Sequence, residues 1–232
     1  MRKWGRNRLI MILETRAVAP FFKNGFVIGC EDTREGIVVD PGDEVDELLD
    51  TVAAHELSVR YILLTHAHID HVTGVAAAKK ALGVPVGLHQ ADHFLYKAVA
   101  QQGQMLGVRV DPQPEIDFFY EGVGPWRFGS YGAWVHHTPG HCPGGVCLAV
   151  GRDQDPKRTL FVGDTLFAGS VGRVDLPGGD LQTLLRSIRD VLFTFPDETV
   201  VYPGHGAPTT VGVEKRTNPF LGSDLDFPTL QK

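Results

Sequence analysis

Cysteine is scarce in this chain: Cys30, Cys142 and Cys147 are the whole complement among 232 residues. An odd, low number does not resemble a disulfide framework, so a reducing compartment, the cytoplasm, is expected. Long apolar runs are missing too. None approaches the roughly 20 residues that cross a bilayer, so no membrane span is expected. Positive charge is not in excess, with 22 Lys+Arg against 28 Asp+Glu and a net charge of −6. Nothing electrostatic therefore points to a nucleic acid or an anionic membrane as partner. The stretch Met1-Arg2-Lys3-Trp4-Gly5-Arg6-Asn7-Arg8 is basic, but Leu9 to Leu13 is too short for the core of a signal peptide. Either Met1 or Met11 can be the physiological start. Internal repeats, low-complexity tracts and Pro/Gly/Ser-rich linkers are also lacking. The chain therefore reads as an N-terminal extension with a first strand (1–20), a single domain (21–221) and a C-terminal tail (222–232).

What is present is ordinary for a globular protein, 43% apolar and 22% charged, in a chain long enough to bury a sizeable core. Strand and helix patterns alternate after an all-strand opening. Phe21 to Cys30 and Gly36 to Val39 read as strands, the second closed by the turn Asp40-Pro41-Gly42. Asp43 is placed to cap a helix running to about His55, with Val45, Leu48, Leu49 and Val52 on one face. Ser58 to Leu64 is a strand, Val72 to Leu82 a helix ended by Gly83, and Val84 to Leu88 a short strand. Asp92 to Leu106 is weakly helical, and the residues on to Gly124 are irregular, in the manner of a flap. Trp126 to Phe128, Ala133 to His137, Val146 to Val150 and Thr159 to Val162 are further strands. Leu181 to Phe193 is an amphipathic helix and Thr199 to Tyr202 a last strand. Many short strands in each half, with helices interspersed, predict two sheets packed face to face with helices outside.

The chemistry is concentrated in Thr65-His66-Ala67-His68-Ile69-Asp70-His71, three histidines and a carboxylate directly after the apolar run Tyr61-Ile62-Leu63-Leu64. So many ionisable groups at the end of a buried strand are costly unless something pairs with them. Neutral imidazole and carboxylate suit zinc, manganese or iron. His66 and His68, two apart in extended chain, can point to the same side. Asp70 and His71 follow where the chain turns and can face a neighbouring position, which predicts two adjacent metal sites. Three later segments repeat the chemistry, each after a predicted strand: Thr138-Pro139-Gly140-His141, Gly163-Asp164-Thr165 and Pro203-Gly204-His205-Gly206. Strand ends hold ligands rigidly, and the glycine beside each lets the backbone turn tightly. Seven ligands exceed the four or so that one metal uses.

In these residues the chain resembles the metallo-β-lactamase superfamily, from about Phe21 to Leu221. The resemblance implies an α/β fold, the αββα sandwich of two mixed β-sheets flanked by helices, with the metals at one edge. It implies that His66, His68 and His141 form a first metal site, that Asp70, His71 and His205 form a second, and that Asp164 bridges both. The cofactor implied is two divalent metal ions, zinc in the first place, with iron and manganese also accepted by these donors. The segment Asp164 to Asp180, together with Pro203-Gly204-His205-Gly206 and Glu214 to Leu221, is similar to the compact type of glyoxalase II, a hydroxyacylglutathione hydrolase. That likeness implies a small-molecule thioester as substrate, of the S-lactoylglutathione type, attacked at its carbonyl by a water that two metals acidify. Asp70 then serves both as ligand and as the group that orients the nucleophile. No nucleic acid or membrane partner is implied, and oligomeric state is left open.

Two departures bear on the substrate. The larger glyoxalase II carries a separate helical C-terminal domain that helps bind glutathione, and Arg173 stands where that form has a lysine, while Val174 and Asp175 do not match its Phe-Tyr. Arg173 is the candidate substrate-binding residue, with bracing of its own loop as the competing role. Cys142, after a ligand histidine, can touch the cluster or serve as a small buried hydrophobe. Asp40 can hydrogen-bond a ligand histidine or simply form its turn. His89 and His93 can line the cleft, and one of His136 and His137 can support a ligand. Tyr96, Tyr120, Phe118 and Phe119 read as packing ahead of a substrate wall, and Cys30 and Cys147 as core. Two other activities fit this scaffold: a persulfide dioxygenase with one iron, which the segment Ser170 to Asp175 resembles, and hydrolysis of another ester or lactone. An intact Pro-Gly-His205-Gly favours the hydrolase. A β-lactamase is disfavoured because many carry cysteine at the position of Asp164, and a non-catalytic binding protein because none of the ligands is eroded.

Overall fold

In the computed structural model, residues 11–153 and 158–221 are described. The basic opening, the choice of start and the expected tail lie outside them. Met11–Arg16 (β1), Gly25–Cys30 (β2) and Glu35–Val39 (β3) form an antiparallel run. β3 is then joined in parallel by Ser58–Leu63 (β4), β4 by Val86–Leu88 (β5) and β5 by Phe118–Phe119 (β6). The second sheet runs from Trp126–Phe128 (β7) through Tyr131–His137 (β8), Val146–Gly151 (β9) and Thr159–Phe161 (β10), all antiparallel in turn. A small hairpin, Leu166–Phe167 (β11) with Ser170–Val171 (β12), follows. Val200–Tyr202 (β13), parallel to β10, and Thr209–Thr210 (β14) complete the sheet. Both sheets are mixed, as expected.

Helices cover the outer faces. Val45–Ala54 (α1), Ile69–Val72 (α2), Val75–Leu82 (α3), His93–Lys97 (α4) and Val99–Leu106 (α5) belong to the first half, and Leu181–Asp190 (α6) and Val211–Thr217 (α7) to the second. The pleat explains why β2 and β9 are buried along their whole length. In β2, Phe26, Ile28 and Cys30 enter the space between the sheets, while Val27 faces the helices. In β9, Val146, Leu148 and Val150 face inward, and Cys147 and Ala149 lie under Leu184, Leu185 and Ile188 of α6. Cys30 and Cys147 are core residues, and all three cysteines are free and buried. Among the described residues no helix is long and apolar enough to cross a membrane.

Several boundaries differ from expectation for local reasons. The predicted Val72–Leu82 helix is two helices, broken at Thr73-Gly74. A Cβ on Gly74 would lie 2.3 Å from the Gly42 carbonyl, so this is where the loop 40–44 packs against the helices. Asp43 does not cap α1; its Oδ1 accepts from Thr73 Oγ1 at 2.7 Å. The strand expected from Phe21 starts only at Gly25, because Phe22 sits in the left-handed region at φ 52°. The expected flap is fastened at its middle: Tyr96 donates to the Pro114 carbonyl at 3.0 Å, and Asp117 accepts from Val86 N–H and Lys79 at 2.7 and 2.6 Å. Tyr120 belongs to the inter-sheet core, its hydroxyl donating to the Leu64 carbonyl at 2.9 Å.

Strand direction places the chemistry. β3 and β4 are parallel, and β8, β10 and β13 all run the same way through their shared neighbours. Their C-terminal ends meet at one edge, where the Val146 N–H donates to the Thr65 carbonyl at 2.8 Å and joins the sheets. Near the middle of the sandwich Phe161 is fully buried, edge-on to Phe26 at 4.9 Å and stacked on Tyr202 at 5.4 Å. Phe161→Ala is expected to cost about 3–5 kcal/mol through lost burial and a residual cavity. Urea unfolding of the variant measures it; a loss under about 1 kcal/mol would mean that the two sheets do not rely on this packing.

Candidate metal centre

The end of β4 delivers His66 and His68 in extended chain, with His68 at φ −70° and ψ 152°, and the short α2 then turns Asp70 and His71 to another side. The loop after β8 brings His141, the turn after β10 brings Asp164, and the turn after β13 brings His205. All seven predicted residues converge. Donor atoms of His66, His68 and His141 lie within 4.8 Å of one another, and so do those of Asp70, His71 and His205. Asp164 sits between the groups, with Oδ1 3.4 Å from His71 Nε2 and Oδ2 3.7 Å from both His141 Nε2 and His205 Nε2. Close approach is possible because Gly204 has no side chain: a Cβ there would lie 2.2 Å from Asp164 Oδ1. Gly140 adopts φ 135° and abuts Leu184 of α6, so the loop carrying His141 is seated on that helix.

Among the described residues, four polar atoms at this edge are buried without a hydrogen bond: Nε2 of His66, His68 and His71, and Oδ1 of Asp164, the last two only in loose contact at 3.4 Å. Orphaned donors and acceptors at that density are costly, and cations would satisfy them. The residues present therefore fit two metal ions. Protonation agrees. Burial holds the His66 imidazole well below its ordinary range, helped by repulsion from His71 and His141. Burial and His141 push His68 down to about 4. Burial opposes ionisation of Asp70 and Asp164, yet His71, the largest of the opposing influences on each, keeps both in the carboxylate form. His71 is also buried, but Asp70, Asp164 and Asp40 outweigh that and push it up to about 10. Neutral imidazoles and ionised carboxylates are the forms that bind metal, and a metal bound at His71 would take the place of the proton that balances its carboxylates. The centre opens on one side only: His205 is a third exposed and the Asp70 side chain 15%, while His66 and His71 are buried.

Supporting groups hold the ring orientations. Asp40 Oδ1 accepts from the Thr65 N–H at 2.6 Å, and its Oδ2 accepts from Thr65 Oγ1 at 2.5 Å and faces His71 Nδ1 at 2.9 Å. Asp40 also lies near His66 and His71 as a third donor group. With its carboxylate already engaged on three sides, it orients His71 rather than binding an ion itself. The Arg173 backbone carbonyl accepts from His141 Nδ1 at 2.7 Å. The Arg173 guanidinium, by contrast, is exposed and paired two-fold with Asp175 at 2.7 and 2.8 Å. His136 packs on Phe195, while His137 stacks on His89 and bonds the Pro143 carbonyl at 2.8 Å. His93 packs edge-on to Phe119.

Asp92 gives no signal in the sequence, where it only opens a weakly helical stretch. It is fully buried and ties two ligand loops together. Its Oδ2 accepts from the Ala67 N–H at 3.1 Å, between His66 and His68, and its Oδ1 from the Gly144 N–H at 2.5 Å. The Cys142 thiol donates to Asp92 Oδ2 at 3.1 Å, so Cys142 is a hydrogen-bonding member of this network as well as a packed side chain.

The family model described as the metallo-beta-lactamase superfamily matches residues 18–205. The chain is 35% identical to hydroxyacylglutathione hydrolase GloC of Haemophilus influenzae, over 92% of this chain and 99% of that protein. It superposes on the crystal structure of BLEG-1 B3 metallo-beta-lactamase with a TM-score of 0.81 at 34% identity, covering 90% and 99% of the two chains. On TTHA1623, solved in a di-iron-bound form, the TM-score is 0.78 at 38% identity, covering 90% and 100%.

Asp92→Asn keeps the side-chain shape but turns an amide NH2 towards donors that now meet a carboxylate. The variant is expected to lose about 1–3 kcal/mol, the cost of a buried donor left unmatched. Denaturant unfolding measures the loss, and wild-type stability would mean that the two loops are held by other contacts.

Proposed function

The chain belongs to the metallo-β-lactamase superfamily, and from that premise we propose that it hydrolyses a thioester of the hydroxyacylglutathione type with two divalent metal ions. One observation carries this reading: two three-donor groups face each other across a single carboxylate, Asp164, within hydrogen-bonding or near-contact range of both. A site for one iron, as a persulfide dioxygenase would use, leaves Asp70, His71 and His205 without a task. In this reading His66, His68 and His141 hold the first ion, Asp70, His71 and His205 the second, and Asp164 both. Zinc is the ion expected, and iron or manganese suits the same donors; the di-iron form of TTHA1623 supports iron as an alternative.

Ions held in such a pair acidify a water and polarise a carbonyl oxygen. The protein contributes position and charge. Asp70 lies at the open mouth, hydrogen-bonded to His205 at 3.0 Å, where its carboxylate can orient the attacking water and receive its proton. The Arg173 carbonyl and Asp40 fix the tautomers of His141 and His71, so that Nε2 of each faces the centre. The thioester class is supported by the name of the Haemophilus influenzae relative. Arg173 is the cation proposed to meet an anionic part of the substrate. Because Asp175 already occupies its guanidinium fork, a substrate carboxylate must compete with Asp175 for it. Three free, buried thiols support a cytoplasmic setting.

Metal-replete protein is expected to carry two ions per chain and to cleave S-lactoylglutathione. Elemental analysis that stays at one ion, with oxygen uptake on a glutathione persulfide, would replace the hydrolase by the dioxygenase. Asp164→Ala should keep the fold and lower kcat by about 100-fold or more, since a shared ligand is removed; near-normal turnover would show that Asp164 does not bridge.

Arg173→Ala leaves the backbone carbonyl on His141 and should chiefly raise KM for anionic thioesters, with neutral ones unchanged. Asp175→Asn should lower KM for the same anionic substrates by freeing the fork. Steady-state kinetics on matched charged and neutral thioesters decides this, and equal effects on both classes would reduce Arg173 to a brace for its own loop.

A further inference from the structure

One buried ion pair has no part in the chemistry above. Lys23 is 1% exposed and Glu44 2%, and they meet through Nζ and Oε1 at 2.5 Å. Replacing such a pair by apolar groups is often neutral or stabilising, so the pair is weak evidence for stability and its position invites another explanation. The Lys23 ammonium also donates to the Asp40 backbone carbonyl, and Glu44 Oε1 accepts the Gly42 N–H at 2.9 Å. Both charges thus grip the loop 40–44. That loop needs fastening: Asp40 holds φ 48°, a region disfavoured for a residue with a side chain. It is also in direct touch with the centre, since the Asp40 carboxylate faces His71 and a Cβ on Gly42 would lie 2.1 Å from the Asp70 carbonyl.

The backbone of the same lysine reaches the other side of the centre. Lys23 forms an antiparallel bridge with His205. Its neighbour Asn24 donates its N–H to the Gly204 carbonyl at 2.7 Å, and its amide to the carbonyls of Pro203 and Gly206 at 3.0 and 2.9 Å. One dipeptide therefore fixes the loop that orients His71 and the loop that carries His205. In the other group, His68 and His141 are held elsewhere, by Asp92 at Ala67 and Gly144 and by the Arg173 carbonyl, and His66 meets the loop only through Thr65, whose hydroxyl lies 3.1 Å from His66 Nδ1 and donates to Asp40.

We propose that Lys23 and Glu44 are positioning residues for the second metal site: the pair locks loop 40–44 to the segment that anchors His205, setting the distance between His71 and His205. The assignment rests on the two-metal reading above. It is tested on the full chain by removing metal and titrating Zn2+ back against a competing chelator, alongside denaturant unfolding. Wild type should show two binding steps. In Lys23→Met the second step should weaken about tenfold or more, the scale on which outer groups affect metal affinity, while the first changes little. If burying Glu44 alone prevents folding, Lys23→Met with Glu44→Leu removes both charges, and the same selective loss is expected from it. A pair with a purely structural role would lower stability while shifting both steps equally or neither, and that result overturns the assignment. Wild-type protein that takes up a single ion would overturn the two-metal reading and the assignment with it, whereas two normal steps in the variants overturn the assignment alone.

Discussion

Burial of imidazole and carboxylate atoms without hydrogen bonds is the constraint on which the rest of this structure depends. Three imidazole nitrogens and a carboxylate oxygen are out of water at one edge of the sandwich with no hydrogen bond among the described residues. Left to itself such a set would be pulled apart by solvation or neutralised by proton uptake. It persists because each loop that carries a ligand begins at a strand end and is fastened again beyond it. The two sheets are joined at this edge by the backbone bond from Val146 to Thr65, and the turn carrying Asp164 is joined to the turn carrying His205 by Gly204 N–H to the Gly163 carbonyl at 2.8 Å.

The fastening is divided between two carboxylates. Asp92 gathers the loops of His66, His68 and His141, and Asp40 gathers Thr65 and His71. Neither is exposed, and each is surrounded by donors, which is how an ionised group stays tolerable away from water. Burial raises the Asp92 carboxyl above its usual range despite bonds from Cys142, Gly144 and Ala67. Asp164 works differently. It lies between the two donor groups and touches histidines of both, so its position couples them geometrically.

Legibility in the sequence followed the range of the physical signal. His66-x-His68-x-Asp70-His71 after an apolar run, and glycine-flanked His141, Asp164 and His205 after others, are local patterns, and the structure brings all seven together. Apolar runs and turn residues marked most strands of the two sheets, but not β6, which lies in the stretch expected to be irregular, nor β14, which follows the expected last strand. They erred where distant contacts intervene: Gly74 breaks a helix because the Gly42 carbonyl passes close by, and the strand expected from Phe21 is delayed by a left-handed Phe22. Asp92 and Lys23 were not legible as supporting residues. Their side-chain partners lie at sequence distances of 25 to 52 and of 17 to 21 residues. The one trace of Lys23 is a cation at the start of an apolar stretch, which by itself reads as a surface residue.

The sequence alone determined the donor inventory, its order along the chain and the layered α/β architecture, because ligand type, strand period and turn residues act within a few positions of one another. Only the tertiary structure decided which donors face which, how Asp164 sits between two groups, that Arg173 meets His141 through its backbone and Asp175 through its side chain, and which buried charges hold the loops. Those facts depend on strands that pair across long stretches of chain and on side chains that meet only after the sheets have closed, so no local pattern carries them.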